Sequence, residues 1–427
     1  MVLALLLGIM FVCMFLGLPM VVGMLLASIV AMMVFFPSIG PVMLMQQMMV
    51  GIQSFVILAI PMFILAAEIM AEGESADRLL GFIRAIVGRV PAGIALTTVG
   101  ACTLFGSCSG STQATMVAIG RPMGKELDRA GYSRSHSIGL VMCSSDIAML
   151  IPPSIVMVMY ALCTDCSVSD MFIAGVGPGL LLTAGFSAWE FLYYKRHKSI
   201  KRAEKIPAQE RLRLLRRGLL PLGFPLIILG GIYSGIFTPT EASAVAVVYT
   251  FIVEKFIYKS IKWRTIFPIA ARTAITTAAI FVLLSAGQAF SWIVSYAGIP
   301  RMIATAMLSI STSPYVLLGV IALTFIVACM FVDALPVIII MVPIFYPIVS
   351  QAGVNPIQFG MIVTMLAAIG CETPPFGCNL FTAAAIYDEP FHVIVKGVWP
   401  YEIWELIVTA LMIVFPGVAL WFYNLIV

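Results

Sequence analysis

Long apolar stretches run through most of the chain and are separated by short polar segments. In the first half, the pattern predicts two helices over 2–36 and a membrane span over 55–71, followed by an amphipathic segment over 72–91. Residues 92–126 are apolar but too short for two full crossings, and they contain a cluster of Gly, Ser, Cys and Thr at 106–112. This arrangement predicts a re-entrant hairpin with its tip at 106–112.

The first half ends with an interrupted apolar run and a highly basic loop. The run over 137–164 contains Pro152-Pro153, so it predicts a broken helix, and a span over 172–194 follows. Residues 195–217 are rich in Lys and Arg and divide the chain into two halves. We therefore interpret 1–194 as a first unit, 195–217 as a basic cytoplasmic connector and 218–427 as a second unit.

The second half repeats the plan of the first. It predicts, in order, two helices over 219–258, a span over 273–297, a hairpin over 314–349 with its tip at 331–336, a broken helix over 357–386, and a last span over 402–424. Equivalent features lie 222 residues apart. They are Gly131 and Gly353, Pro152-Pro153 and Pro374-Pro375, and Ser111 and Asp333.

The distribution of basic residues predicts that the two units have opposite orientations. Each unit has five predicted crossings, an odd number, so the second unit begins on the opposite side of the membrane from the first. With the 195–217 connector inside, Arg301 alone of the 24 Lys and Arg residues falls outside, as the positive-inside rule requires. The sequence thus predicts an all-α polytopic membrane protein: an inverted-topology repeat of ten crossings and two re-entrant hairpins, with both termini periplasmic.

Composition narrows the possible functions. Hydrophobic residues make up 61% of the 427 residues and charged residues 10%, which excludes a soluble enzyme and a nucleic-acid-binding domain. The three histidines lie far from any cysteine pair at zinc spacing, so no zinc site is expected. No P-loop occurs, so we expect no nucleotide.

The interrupted helices are the best candidates for chemistry. A break inside the membrane frees backbone carbonyls that can replace the hydration shell of a cation. Repeated broken helices are typical of secondary transporters that bind substrate near the midplane. One Na⁺ would bind between the first tip and the Pro152-Pro153 break. A second would bind between the Asp333 tip and the break over 370–375, and the substrate would lie between the two tips.

Acidic residues in apolar segments are further candidates. Asp146, Asp333 and Glu372 lie in predicted membrane segments, where charged groups are costly and usually functional. Glu241 follows Thr-Pro-Thr, and either caps a helix or has a functional role. Glu68 is either an interfacial residue or a functional one.

Six segments resemble the large membrane subunit of TRAP transporters (tripartite ATP-independent periplasmic), the DctM-like family. They are GSCSGSTQATMVAIGRPM (106–123), GYSRSHSIGL (131–140), IPPSIVMVMYA (151–161), DMFIAGVGPG (170–179), GIFTPTEASAVAVVYTF (235–251) and TPPFGCNLFTAA (373–384). The similarity covers nearly the whole length of the chain.

The resemblance implies a protein of the bacterial inner membrane that imports a small organic anion, a carboxylate or a sulfonate, together with Na⁺. Its hairpins and broken helices would move as an elevator within a scaffold of the other helices. It implies a separate small four-helix membrane subunit and a periplasmic substrate-binding protein as partners. Na⁺ is the expected coupling ion, and neither haem nor catalysis is expected.

The resemblance also implies site residues. Those of the first Na⁺ site are Ser107, Gly110, Ser111, Ala148, Ile151 and Pro152, and those of the second are Asp333, Gly370, Thr373 and Phe376. The implied substrate contacts are Ser109, Thr112, Ser144, Ser145 and Asn379. No buried Arg is evident, so a bound acid would depend on helix N-termini, hydroxyl groups and nearby Na⁺.

Two other classes of function are compatible with parts of the pattern. A stand-alone Na⁺/carboxylate symporter or antiporter would share the architecture and need no binding protein. An intramembrane serine hydrolase at Ser107-Cys108-Ser109 would need a base, but His136 and His392 lie near the inner surface. A passive channel is disfavoured because no continuous polar lining is visible.

Overall fold

The computed structural model describes residues 1–311 and 313–427, and α-helices account for most of them. The helices are α1 Val2–Phe15, α2 Met20–Phe35, α3 Pro41–Val50, α4 Ala59–Glu72, α5 Ser75–Val87, α6 Gly93–Ser109, α7 Thr112–Ala130, α8 Arg134–Leu150, α9 Ile155–Thr164, α10 Val168–Arg196, α11 Ala208–Tyr233, α12 Pro239–Ile252, α13 Trp263–Tyr296, α14 Ile299–Ile310, α15 Pro314–Phe331, α16 Ala334–Gln351, α17 Pro356–Glu372, α18 Cys378–Tyr387, α19 Phe391–Val414, α20 Pro416–Leu420 and α21 Tyr423–Ile426. A 3₁₀ turn, Phe55–Leu58, leads into α4, and a π turn, Val253–Ile257, extends α12.

Seven helices in the described part of the chain are long and apolar enough to cross a membrane. They are Phe55–Glu72 (the 3₁₀ turn with α4), α10, α11, α13, α15, α16 and α19. The pair α8 and α9 is bent by 40° at its break and adds an eighth span if the two helices are counted as one. Five of the ten predicted crossings are among the seven, and α15 and α16 are the arms of the second predicted hairpin. Other predicted crossings correspond to shorter helices, such as α17 and α18, which a break separates. The count of ten crossings therefore stays a prediction.

Helix boundaries in the two halves repeat at the spacing found in the sequence. Helix α17 begins and ends 222 residues after the beginning and end of α8. The first helices after the two tips, α7 and α16, also begin 222 residues apart. Both broken helices contain a cis proline bond, Pro152-Pro153 and Pro374-Pro375.

Three helices begin earlier than the sequence pattern predicted. Helix α11 begins at Ala208, inside the predicted basic connector, so only 197–207 of that connector lies outside a helix. Helix α13 begins at Trp263, ten residues before the predicted start of the span at 273. Helix α19 begins at Phe391 rather than at residue 402. In all three cases polar or charged residues extend the first turns of an apolar helix, and the hydrophobic pattern alone places the start too late.

Each broken helix packs against the hairpin that precedes it and against α19. Helix α8 packs against α6, α7 and α19, and α17 packs against α15 and α19. At Gly139, a Cβ atom would lie 2.1 Å from the carbonyl oxygen of Gly397, so α8 and α19 meet backbone to backbone. A second group is formed by α1, α2, α3, α4, α5, α11, α12 and α13, which pack mainly on one another.

A buried glutamate fastens two helices of the second group. Glu254 follows α12, and its carboxylate accepts hydrogen bonds from the backbone N–H groups of Glu74 and Ser75 at 3.0 Å each. The hydroxyl of Ser75 donates to the same carboxylate. These contacts satisfy N–H groups at the start of α5 that have no partner within the helix.

Candidate functional site

The first break is the point where α8 stops inside the protein. Pro152 and Pro153 have no N–H, so the carbonyls of Ala148 and Met149 lose the donors that a continuing helix would supply. The chain resumes at α9, where the Ser154 side chain caps the new helix by accepting from the N–H of Met157 at 3.4 Å. Free carbonyls and a helix N-terminus are thus close together in the chain, as a cation site beside an anion site requires.

The first hairpin tip lies directly on this break. Gly110 has a φ of +60°, and a Cβ there would lie 2.2 Å from the carbonyl oxygen of Pro153. At Gly106, a Cβ would lie 2.9 Å from the Cα of Ala148. Two glycines therefore let the tip approach the backbone of the break. The residues predicted for the first Na⁺ site come together here.

The hydroxyl groups of the first tip are mostly engaged within the tip. Ser107 donates to the Leu104 carbonyl at 2.6 Å, and Ser109 lies 2.8 Å from the Thr115 hydroxyl. Ser111 caps α7, because its hydroxyl accepts from the N–H of Ala114 at 3.4 Å. These bonds hold the tip in one conformation, and a cation ligated by Ser107 or Ser111 would share their oxygens.

The second break also has two prolines that leave backbone carbonyls without their usual helix donors. Pro374 and Pro375 remove the donors for the carbonyls of Gly370 and Cys371, although the N–H of Thr373 still reaches the Gly370 carbonyl at 3.3 Å. A Cβ at Gly370 would lie 2.1 Å from the Cβ of Cys329, so α15 touches α17 here. The hydroxyl of Thr373 lies 2.6 Å from both the Ile369 carbonyl and the Glu402 carboxylate.

The second tip differs from the first in its side chains. Asp333 is exposed, and its carboxylate accepts from the thiol of Cys378 at 3.3 Å, with the Cys371 thiol at 4.0 Å. Phe376 is 54% exposed and packs on Phe331 with ring centroids 5.7 Å apart. The residues predicted for the second Na⁺ site therefore come together at one end of α17, with Phe376 turned outward.

The two halves of the chain meet between the breaks. The side-chain amide of Asn379, on α18, donates to Oδ1 of Asp146 on α8 at 2.8 Å. The hydroxyl of Thr112, at the first tip, lies near the same carboxylate and makes no hydrogen bond to the described residues. Nearby, the amide of Gln113 contacts the Cys378 thiol at 3.6 Å. Two of the predicted substrate residues, Thr112 and Asn379, thus come together at Asp146.

Within the described residues, the other predicted substrate residues make no hydrogen bond to Asp146 or Asn379. Ser145 donates to the Val141 carbonyl of its own helix at 2.7 Å. Ser144 is fully buried on α8, and Ser109 is occupied by Thr115. Their assignment to the substrate stays a prediction.

Comparison with known proteins decides the family. The family model of the "Tripartite ATP-independent periplasmic transporter, DctM component" matches residues 7–418. The chain is 43% identical to the ectoine TRAP transporter large permease protein TeaC of Halomonas elongata, over 96% of each chain. It is 41% identical to the ectoine/5-hydroxyectoine large permease protein UehC of Ruegeria pomeroyi, over 97% of each. The chain belongs to the DctM family.

Membership makes this chain a multi-pass membrane protein from a family of transporter permeases rather than enzymes. Among solved structures, the YdaH transporter of Alcanivorax borkumensis superposes with a TM-score of 0.64, at 14% identity, over 88% of this chain and 87% of that one. At this identity the likeness concerns the fold alone. It agrees with the all-helical transporter architecture described above.

Two acidic residues of this DctM chain were missed by the sequence analysis. Glu402 and Glu405 lie in α19 and are 3% and 0% exposed. The sequence carries the signal that would have identified them, because they are two acids three residues apart in an otherwise apolar span. The strong hydrophobicity of 402–424 nevertheless predicts a plain crossing, which gives these two acids no role.

The structure gives two other acids local roles. Glu241 and Thr238 form a capping box at the start of α12, with the side chain of each bonded to the backbone N–H of the other. Glu68 pairs with Arg272 at 3.1 Å, and Glu72 pairs with the same guanidinium at 2.9 Å. The helix-capping interpretation of Glu241 is therefore confirmed.

Proposed function

We propose that this chain is the permease subunit of a Na⁺-coupled, binding-protein-dependent importer of a small organic acid in the bacterial inner membrane. The observation that supports the coupling is the pair of helix breaks, each placing freed carbonyls beside a hairpin tip with oxygen-bearing side chains. Hard cations such as Na⁺ prefer such oxygen ligands. Each Na⁺ that enters adds about 2.3 kcal/mol per 100 mV to the driving force for uptake.

The packing supports an elevator movement. We assign the moving part to both hairpins, both broken helices and the spans α10 and α19, because these helices pack on one another. Helices α1 to α5 and α11 to α13 form the scaffold. The two halves of the chain, 1–194 and 218–427, are predicted to be repeated units in opposite orientation, and each contributes helices to both parts. An inverted repeat of this kind exchanges inward and outward access by rocking or sliding around a fixed site.

The substrate would bind between the tips, near Thr112 and Asn379. The carboxylates of Asp146 and Glu372 are buried in this region, whereas the described residues contribute no Lys or Arg to it. A substrate that carries a positive group beside its carboxylate would suit these surroundings better than a dianion. Two relatives that cover nearly the whole chain are named for ectoine, so ectoine is the first compound to test.

The partners follow from the family. The tripartite description supports a small membrane subunit and a periplasmic binding protein that delivers the substrate. The chain and its small subunit would be reconstituted into proteoliposomes, with the binding protein outside. Uptake of ectoine, dicarboxylates, sugar acids and sulfonates would be measured with and without an inward Na⁺ gradient.

The expected result is uptake of one compound class that needs both Na⁺ and the binding protein. Uptake with Na⁺ but without the binding protein would replace the tripartite proposal with a stand-alone symporter. Equal uptake with and without the Na⁺ gradient would refute the proposed Na⁺ coupling. Choline in place of Na⁺, at the same ionic strength, controls for screening.

A further inference from the structure

Three carboxylates meet in the interior of the protein, beside both helix breaks. Asp146 lies on α8, Glu372 ends α17 and Glu405 lies on α19, and each is fully buried. One oxygen of each carboxylate lies within 4.8 Å of the corresponding oxygens of the other two. Asp146 precedes Ala148 by two residues and Glu372 follows Gly370 by two, so the cluster lies between the two predicted Na⁺ sites.

Most oxygens of this cluster have no partner. Oδ2 of Asp146, both oxygens of Glu372 and both of Glu405 are buried and make no hydrogen bond to the described residues. Within the part of the chain that the structure describes, no ion pair involves these acids. Several unpaired carboxylates at one buried point would cost several kcal/mol each if they stayed charged. They must therefore be neutralised, either by bound protons or by a positively charged ligand.

An independent feature points into the same place. The hydroxyl of Thr112 is 0% exposed, has no hydrogen-bond partner, and faces Asp146. Buried hydroxyl groups are nearly always bonded. Thr112 belongs to the first hairpin tip and not to any of the helices that carry the acids. A ligand at the cluster would therefore satisfy groups from both halves of the chain.

The spacing suits a metal cation of moderate size. Two oxygens that each bind a cation at about 2.4 Å lie at most about 4.8 Å apart. Carboxylate and hydroxyl oxygens are the ligands that hard cations select. The neighbouring acid Glu402 is held by Thr373 and is not needed for the site.

We propose that Asp146, Glu372, Glu405 and the Thr112 hydroxyl form a third cation site, which binds a hard, oxygen-preferring metal ion. It differs from the two break sites because its ligands are side-chain carboxylates rather than backbone carbonyls. Its ion partly neutralises the cluster, which lowers the cost of moving these acids through the membrane midplane. The proposal rests on the proposed function in one respect: the two Na⁺ sites at the breaks provide the baseline against which a third bound cation is counted.

The test is a count of bound cations on the full-length chain purified in detergent. Equilibrium binding of radioactive Na⁺ would be measured for the unmodified chain, for Glu405→Gln and for Glu126→Gln. The last is a surface control, since Glu126 pairs with Arg84 at 3.2 Å away from the cluster. A second arm would use radioactive Ca²⁺ in excess Na⁺. Thermal unfolding with rising Na⁺ or Ca²⁺ gives an independent readout, because a ligand of the native state raises the unfolding temperature.

We expect Glu405→Gln to bind one cation fewer per chain than the unmodified protein and Glu126→Gln. Loss in the Na⁺ arm identifies a monovalent site, and loss in the Ca²⁺ arm a divalent one; both support the proposal. An unchanged count in both arms overturns it, since the carboxylates would then be neutralised by protons alone. If Glu405→Gln does not fold, Glu372→Gln gives the same comparison.

Failure of the proposed function would look different. In that case the unmodified chain would bind no Na⁺ at the break sites, so Glu405→Gln would remove the last bound cation or none. If only the third-site proposal is wrong, the unmodified chain still binds Na⁺ at the break sites, and Glu405→Gln binds the same number of cations.

Discussion

The two helix breaks share a backbone plan and differ in their surroundings. At the first, the residues from Ile151 to Ser154 are buried, and the tip is held by its own hydroxyl groups. At the second, Pro375 and Phe376 are exposed, and the tip presents the exposed carboxylate of Asp333. The repeated prolines leave equivalent backbone carbonyls without donors at both breaks. The surrounding side chains decide how far each site is open to solvent.

This difference predicts different vulnerabilities. Both sites have a close contact at a glycine, Gly110 at the first break and Gly370 at the second, so added volume would disturb either of them. The second depends on a charged side chain that solvent can reach, so it would be weakened by removing charge. Substitutions at the two tips and breaks test that distinction.

Gly110→Ala should abolish Na⁺-driven uptake. The new Cβ would lie 2.2 Å from the Pro153 carbonyl, in a residue whose φ is +60°, so the tip must leave the break. Gly353→Ala is the matched control, because its φ is +74° and nothing lies within 4 Å of its Cβ. The left-handed backbone alone should cost about 1 kcal/mol of stability and leave uptake in place. Equal loss of uptake in both variants would show that close contact is not the cause.

Gly370→Ala should separate α15 from α17 at the second break. The added methyl group meets the Cβ of Cys329 at 2.1 Å, and overpacking of this kind costs about 1–3 kcal/mol. We expect a lower unfolding temperature and slower uptake, both partly restored by adding Cys329→Gly. Gly319→Ala, on α15 with open space around it, is the control. A double variant as impaired as Gly370→Ala would refute the contact as the cause.

Asp333→Asn should raise the Na⁺ concentration needed for half-maximal uptake about tenfold, which corresponds to about 1.4 kcal/mol. Ser111→Ala should raise it less, about threefold, because a neutral hydroxyl contributes less than a carboxylate to cation binding. Uptake measured over a range of Na⁺ at constant ionic strength gives both values. The reverse order would mean that the buried tip, and not the exposed one, dominates Na⁺ affinity.

Thr238→Ala should have the smallest effect. It removes the capping box at the start of α12, outside both breaks, and should lower the free energy of unfolding by about 1 kcal/mol. Its Na⁺ dependence should match that of the unmodified protein. A shifted Na⁺ dependence would extend the coupling machinery into the scaffold.

The backbone of the site could be predicted from the sequence, and much of its side-chain arrangement could not. Proline at 152 and 374 removes the donors for Ala148 and Gly370 whatever the tertiary structure, so these carbonyls follow from local chemistry. The direction of a hydroxyl depends on its rotamer and neighbours, which is why the orientation of Ser145 toward its own helix was not foreseen. The meeting of Asp146 with Asn379 joins residues 233 apart in the chain, and no local pattern records such a contact.

The backbone contact between Gly139 and Gly397 makes α19 a convenient place to observe the first break. The two helices have no side chain between them at this point, so a displacement of α8 is transmitted to α19 without slack. A spectroscopic label on an outward-facing position of α19, such as Ile403 at 52% exposure, would leave both breaks unmodified. A second label would be placed on α13. The distance between the two labels, measured on single molecules, would then report the position of the first break along the membrane normal.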